Sequence, residues 1–529
     1  MTRQVKKQSG KPPRLRARHR TPPPSQSLSM RPHSGSLRLV AFSDYRVQDI
    51  GLLIEELSTL QPRPDLILYA GDDIGRFQSA SGENLFEVIA SRSRHGLCAV
   101  PGNDDKPSVR ELIRGKSVFN VHLCPAVIGA YAVLGVEGAP YRRDLEKRGY
   151  ISHSEQEIRK QLTAQEHKVK SKRLIILSHA PPEGVLDQSV RFSPDGRPRS
   201  IGSRALKKFL QSSNNVPLVV CGHAHRCGGR NETVGRTLIV NAANHDDEKA
   251  VGRFAVIDLA SRGRVGVGWR VIRETRVLPG IGPSIGDRLR EKGIRRLEEL
   301  ASLSPEDAEV IYPVLRNMGC KPEVICSRAR AWVQNRPIVI AKPKFPQRPR
   351  VYLDIETDIC QSYVWLVGCV VDDGEYTSFF AESPADEKRI LKEFLSFIRH
   401  PPGAKILSFS GSRFDERILR QRVLSHGLDT TACDRMVDAY GLIVNVIALP
   451  TESLRLKELA AFFGYRYKHP DLDGWAVASL YEDRYQSLTN CALRRKLRRM
   501  LIEYNEDDVR CLPHILSAIQ ALERHPVND

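Results

Sequence analysis

The sequence predicts a multidomain chain built from α/β and α+β units. Three observations predict it. Five short apolar runs recur between residues 36 and 273, each ending on a polar side chain. An alternating run, "RVYLDIET" at 350–357, is followed by helical patterns towards the C-terminus. A short helical stretch and a proline-rich basic segment separate these two parts. At 529 residues and 41% hydrophobic, the chain is long enough for more than one core.

The first element in order is a tail. Residues 1–35 carry nine Lys or Arg and no Asp or Glu, in a setting rich in Pro and Ser. Such a segment has too little apolar surface to fold, so a disordered basic tail is expected. It holds nearly half of the formal +19 charge. A flexible cationic arm suits a polyanion, because each neutralised phosphate releases condensed counterions; a solubilising tail is the other reading. No run reaches the ~18 apolar residues of a membrane helix, and no export signal is present. No membrane association and a cytoplasmic location are therefore expected. Eleven cysteines without a CxxC pair read as reduced thiols.

The five runs of the first large unit, 36–273, are "LRLVAFSD" ending at Asp44, "DLILYAGDD" with Asp72, "GLCAVPGND" with Asn103, "RLIILSHAPP" with His179, and "PLVVCGHAH" with His223 and His225. They read as buried strands with functional loops at their carboxyl ends, so six ligand-type side chains are expected to converge on one sheet edge. In this order the runs resemble the calcineurin-like metallophosphoesterases, with their D-x-H, GD, GN-H-[DE], H and GHxH signature. The resemblance implies a four-layer sandwich of two sheets flanked by helices. It also implies two divalent ions (Mn²⁺, Fe or Zn²⁺) bridged by Asp72, the first bound by Asp44 and His225 and the second by Asn103, His179 and His223. Paired cations clamp a phosphate and lower the pKa of bound water, so phosphoester hydrolysis is the implied reaction.

Two departures qualify this. Arg46 stands where the family has the histidine of D-x-H, and Asp104 where it has the histidine after Asn103. Arginine stays protonated and cannot ligate a cation, so the first ion is expected to bind weakly or not at all. Either Arg46 holds the substrate phosphate in its place, or the site keeps its fold without turnover. Asp104 is a proton donor only if its neighbours raise its pKa.

Residues 274–335 form a small unit with a Gly280-Ile281-Gly282 turn between two helical patterns. Glycines permit the tight turn, and the helix that follows presents unpaired amides to a phosphate. The segment resembles a helix-hairpin-helix module, which grips the nucleic-acid backbone without reading sequence. Four prolines with interspersed basic residues over 337–350 predict an extended linker at 336–349.

The second large unit is 350–525. In "RVYLDIET" Asp354 and Glu356, two apart on a strand, share a face. In "LIEYNEDDVRCL" Tyr504 and Asp508, four apart on a helix, share another. Asp415 in "SFSGSRFDERIL" sits where an apolar run meets a helix. Four acids in one pocket repel one another unless cations neutralise them, and Mg²⁺ or Mn²⁺ is the expected remedy. The order DxE, FD, YxxxD resembles the DEDD exonucleases of the ribonuclease H-like fold, and "LRLKELAAFFGYRY" with "YNEDDVRCLPHIL" is most similar to the YprB-like branch. The resemblance implies one ion at Asp354, Glu356 and Asp508, a second at Asp354, Tyr504 orienting water, and cleavage at a 3′ end. Ser410 replaces the family's usual Asn, which predicts weaker substrate contact without loss of metal.

The expected function is a nucleic-acid-processing phosphoric ester hydrolase acting on DNA or RNA, with single-stranded ends as the first choice. A nucleic-acid-binding scaffold with degenerate sites and a small-nucleotide phosphodiesterase are the alternatives.

Overall fold

The computed structural model describes residues 26–28, 36–79, 81–140, 151–170, 172–189, 198–245, 250–260, 265–315, 321–410, 413–451 and 453–524. Two compact units are distinguished, residues 1–246 with 252–271, and residues 247–251 with 272–529.

All five apolar runs of the first unit become strands: Leu37–Phe42, Leu66–Tyr69, Leu97–Ala99, Arg173–Ser178 and Leu218–Cys221. They divide between two sheets. The first three lie in a six-stranded sheet with Val118–Asn120, Val251–Leu259 and Val265–Arg273. The last two lie in a seven-stranded sheet with Tyr131–Val136 and Thr237–Asn241 as immediate neighbours. The alternation of side chains explains how the sheets stack. Leu39, Ala41, Leu66 and Leu68 from one sheet meet Val133, Ile175, Leu177, Leu218 and Val220 from the other in a common core. The opposite faces take helices. Ile158 and Leu162 of helix Glu155–Lys168 and Leu206 and Phe209 of helix Arg204–Ser212 cover Ile176 and Val219. Phe42, Tyr69 and Phe77 pack ring against ring, and Phe77 stacks on Phe86 of helix Leu85–Ala90 at 4.4 Å. The unit is therefore a four-layer sandwich. The ligand-bearing loops leave the carboxyl ends of strands in both sheets, whereas the runs alone predict a single edge. The reason is that each strand is buried on both faces and carries no mark of which sheet it joins.

Most of the expected tail lies outside the described residues. Within it, Gln26–Leu28 adds as a parallel strand to the edge strand Ala126–Ile128, which corrects the expectation of disorder for those three residues. An edge strand offers unpaired amides and carbonyls that recruit nearby chain whatever its composition.

In the second unit, helices Pro283–Glu291, Leu297–Ser302, Pro305–Val310 and Pro322–Gln334 form the helical region. On the N-terminal side of the Gly280–Gly282 turn the helical segment is a single 3₁₀ turn, Thr275–Val277. The proline-rich segment contributes strand Ile338–Val339, which pairs with Ile447–Ala448. Beyond it a five-stranded sheet has the spatial order Tyr376–Phe380, Val364–Val371, Arg350–Thr357, Lys405–Ser408, Met436–Asp438. The first three are antiparallel and the last two run parallel to Arg350–Thr357. The 34-residue helix Cys491–Arg524 crosses this sheet, with Val509, Leu512 and Ile515 in one core beside Tyr352 and Leu407.

Candidate metal centres

In the first unit the chain takes left-handed backbone at Asp44, Asp72 and His223, with φ of 50°, 59° and 64°. Such conformations cost non-glycine residues energy and concentrate at functional loops. Glycines supply the clearance: a Cβ on Gly222 would overlap the Asp44 carboxylate, and one on Gly102 would overlap that of Asp72.

His179 is fully buried. Its Nδ1 lies 2.7 Å from the Ala70 carbonyl, and its Nε2 faces Asn103 Oδ1 at 2.9 Å and Asp72 Oδ2 at 3.3 Å. An imidazole whose Nδ1–H is given to a carbonyl has only a lone pair on Nε2, and here that lone pair faces two acceptor oxygens. The arrangement is satisfied by a second proton or by a cation among the three atoms, which is how a metal-ligating histidine is oriented. Burial opposes charge on the ring, but Asp72 and Asp44 raise it to about 9. Asp44, Asp72 and His179 bring ligand atoms within 4.8 Å of one another. The donor set thus fits a divalent ion. His223 stands with its ring 5.1 Å from that of His179, and its backbone amide donates to Asp44 Oδ2 at 3.2 Å.

His225 is differently engaged. Its Nε2 lies 2.9 Å from Asp44 Oδ1, and its Nδ1 lies 2.6 Å from Arg46 Nη2. A guanidinium only donates, so Nδ1 accepts and the ring proton is on Nε2, directed at Asp44. Neither ring nitrogen then keeps a lone pair for a metal. Arg46 Nη1 also donates to the His245 carbonyl at 3.0 Å. The sequence leaves open whether Arg46 holds a substrate phosphate or marks a site without turnover; here the guanidinium is turned onto His225. Burial pushes the Asp44 carboxyl up, yet His225, His179 and the Ser43 hydroxyl together hold the group well below the usual carboxylate range.

Asp104 is exposed; its Oδ1 accepts from Asn103 Nδ2 at 2.7 Å, and its backbone amide donates to Asp72 Oδ1 at 2.8 Å. Its neighbour Asp105, which the sequence pattern does not single out, is buried and accepts from the amides of Ile74 at 3.1 Å and Gly102 at 2.9 Å. It ties the Asp72 and Asn103 loops together. A further group, His122, Glu137 and His153, also lies within 4.8 Å. There Arg110 already holds Glu137 through two bonds of 2.9 and 2.5 Å, so a guanidinium balances the carboxylate.

In the second unit, Asp354, Glu356 and Asp508 bring carboxylate oxygens within 4.8 Å. Asp415 lines the same cleft as those three and Tyr504, without joining that close trio. The central strand supplies Asp354 and Glu356 on one face, the long helix supplies Asp508, and Asp415 enters from the first turn of helix Phe414–Ser425. Burial first, and then Asp508, pushes Glu356 up to about 8. Burial likewise raises Asp508 to about 6 and Asp415 to about 7, and burial with the Glu356 charge puts Asp354 well above the usual range. These acids cannot all ionise without added positive charge. A set of hard oxygen donors of this kind fits Mg²⁺ or Mn²⁺.

Several residues that complete this cleft are not marked by the sequence motifs. Asn505, fully buried, donates through Nδ2 to Asp354 Oδ2 at 2.7 Å and accepts from the Tyr376 hydroxyl at 2.8 Å. A signal for it exists, since Asn505 lies on the same helical stripe as Leu501, Asp508 and Leu512. The Tyr467 hydroxyl donates to Asp508 Oδ1 at 2.9 Å. The adjacent acids part company here, because Asp507 faces away and accepts from the Lys468 amide at 2.6 Å and the Tyr465 hydroxyl at 3.1 Å. Lys457 Nζ stands 4.5 Å over the Tyr504 ring. Ser410 caps the Phe414 amide at 2.9 Å and bonds to Asp438, which gives its hydroxyl a structural place. Of the helical region's expected residues, Gly280 is left-handed at φ 88°, Ile281 is buried, and Gly282 caps helix Pro283–Glu291 without a side-chain bond.

Residues 38–227 match the calcineurin-like phosphoesterase family, and residues 351–520 match the RNase H superfamily. No curated protein matches the chain. Among solved structures, TT1561 of Thermus thermophilus is 17% identical, with 44% of this chain and 98% of that one covered and a TM-score of 0.31. Chaetomium thermophilum Vps29 is 13% identical, with coverage of 44% and 97% and a TM-score of 0.19. The Thermus thermophilus sulfate thiohydrolase SoxB in complex with glycerol is 12% identical, with coverage of 55% and 62% and a TM-score of 0.26. No described helix is long and apolar enough to cross a membrane. The chain carries a calcineurin-like phosphoesterase domain followed by an RNase H superfamily domain, each with side chains able to hold a divalent cation.

Proposed function

We propose that this protein is a metal-dependent nuclease whose C-terminal site removes nucleotides from the 3′ end of single-stranded DNA or RNA by a DEDD-type hydrolysis. The observation that carries the reading is the convergence of Asp354, Glu356 and Asp508 within 4.8 Å, beside Asp415 and Tyr504 in one cleft. Asp354, Glu356, Asp508 and Asp415 would hold Mg²⁺ or Mn²⁺, which when bound supplies charge for the phosphate oxygens and a more acidic water. The chain's own groups do the positioning. Asn505 fixes Asp354, and the Tyr467 hydroxyl fixes Asp508. Burial and the Asp508 charge push the Tyr504 phenol well above its usual range, so it stays protonated; its hydroxyl donates to Asp508, and its oxygen is left to orient water. The helix-hairpin-helix-like turn at Gly280–Gly282 and the cationic tail would hold the nucleic-acid backbone.

We assign the N-terminal domain a single ion, Mn²⁺, Fe or Zn²⁺, at Asp72, Asn103 and His179 with His223 near. Arg46 supplies fixed positive charge beside His225, and Asp104 orients the Asn103 ligand by accepting from its amide. The Arg46–His225 contact favours a second reading for this domain alone, that it binds a phosphate without turning it over.

A panel of end-labelled single- and double-stranded DNA and RNA, with Mg²⁺ and with Mn²⁺, tests both domains. Shortening of single strands from the 3′ end is expected, lost in D354A and D508A and retained in H179A. Degradation that is unchanged in D354A with D508A rules out the nuclease reading. Turnover of an aryl phosphodiester that disappears in H179A would instead establish an active N-terminal site.

A further inference from the structure

We propose that Trp475 is the platform on which the unpaired terminal base of a nucleic-acid strand stacks as it enters the acid cleft. The inference rests on the nuclease reading above and names how that site selects its substrate.

The chain has four tryptophans, and they are treated differently. Trp365 is fully buried and stacks on Tyr481 at 4.3 Å, while Trp475 is 69% exposed, the most exposed large apolar side chain among the described residues. Burying an indole is strongly favourable, so an exposed one lining a cleft offers an occupant apolar contact. Its place is specific. Trp475 lies in the first turn of helix Gly474–Ser479, which Asp473 caps by accepting from the Ala476 amide at 2.8 Å. Val477 anchors that helix in the core, while Gly474, Trp475 and Ala478 line the cleft that holds Asp354, Glu356 and Asp508. Apart from its chain neighbours, nothing lies within 4 Å of a Cβ built on Gly474, so the cleft wall is open at that position. Phe409 and Phe414 line the same cleft, whose volume is about 530 Å³, within the range of small-ligand sites.

The chemistry of the occupant follows. The acids repel phosphate until cations arrive, so within the cleft an uncharged contact adds to the grip on the backbone proposed for the tail and the Gly280–Gly282 turn. A π-face supplies it, because every base has one and stacking is indifferent to sequence. An interior base has both faces covered by its neighbours and cannot use the platform, whereas a terminal base has one face free. Trp475 thereby selects strand ends without reading their sequence.

The test uses the full chain, wild type, W475A and W475F, with two single-stranded oligonucleotides that differ only in a 3′ terminal base or an abasic 3′ residue. With Mn²⁺, the wild type is expected to show a KM on the order of tenfold lower for the base-ended strand. W475A should raise that KM on the order of tenfold, keep kcat, and treat the two strands alike; W475F should retain the preference. Binding of the same labelled strands in Ca²⁺, which needs no cleavage, should show the same order. Equal KM and equal affinity in W475A and wild type overturn the proposal. A wild type that cleaves neither strand overturns the nuclease reading instead, and the binding arm then decides for or against the platform.

Discussion

Replacing Asp508 by asparagine is predicted to stabilise the ion-free protein while abolishing hydrolysis. The reasoning starts from the raised acids. Glu356 sits at about 8 against an ordinary value of 4.5, a difference worth about 5 kcal/mol between its two protonation states. An acid whose folded pKa is raised binds its proton more tightly in the folded chain. Its contribution is therefore fully present below pH 4.5 and is lost as pH rises to about 8. Asp508 is among the causes of that rise, after burial. Its neutral isostere still accepts from Tyr467, so D508N removes part of the repulsion, about 2 kcal/mol, or ~4–8 °C in the Tm of a domain of this size. The assay is thermal unfolding in EDTA at pH 5.5 and pH 8. Wild type should lose stability between these values, D508N should lose less, and Mn²⁺ should restore the wild type but not the variant. A D508N Tm identical to wild type at pH 8 in EDTA, with no Mn²⁺ effect on either, refutes the argument that these acids are held in mutual repulsion.

R46H should release His225 Nδ1 and restore a lone pair at the first N-terminal position, so metal content by elemental analysis should rise by about one ion per chain; unchanged stoichiometry refutes the account of Arg46. G368A places a Cβ against Asn505 Oδ1, which should displace that amide from Asp354 and cut nuclease activity more than about tenfold while circular dichroism stays native. Activity equal to wild type would mean that Asn505 does not position the acid. Glu387, buried, accepts from Arg422 at 2.8 and 2.6 Å and pairs with His426 at 2.7 Å. Burial pushes its carboxyl up, but these partners hold it below its ordinary value. E387A should cost about 3 kcal/mol by stranding the Arg422 charge. Because the folded value is depressed, that stabilisation is present above pH 4.5 and lost as pH falls through the folded value, so wild type and variant should converge in Tm in acid.

Local chemistry alone determined a great deal. Five apolar runs became five strands, the two-residue spacing put Asp354 and Glu356 on one face, and the four-residue spacing put Tyr504 and Asp508 on one helix stripe, because strand and helix periods are properties of neighbouring residues. The order of the acids and histidines named both families before any contact was known. Only tertiary structure decided the rest. Whether Arg46 meets His225 depends on residues 179 apart in sequence, and no local pattern states that the two loops come from different sheets. Asp507 and Asp508 are equivalent in composition, yet packing turns one towards Lys468 and the other into the cleft. No local pattern states that Trp475 is left in water. Periodicity encodes which face a residue takes on its own element; the partner that face meets is set by packing between elements, where one rearranged contact changes the charge, the ligand set and the chemistry of the site.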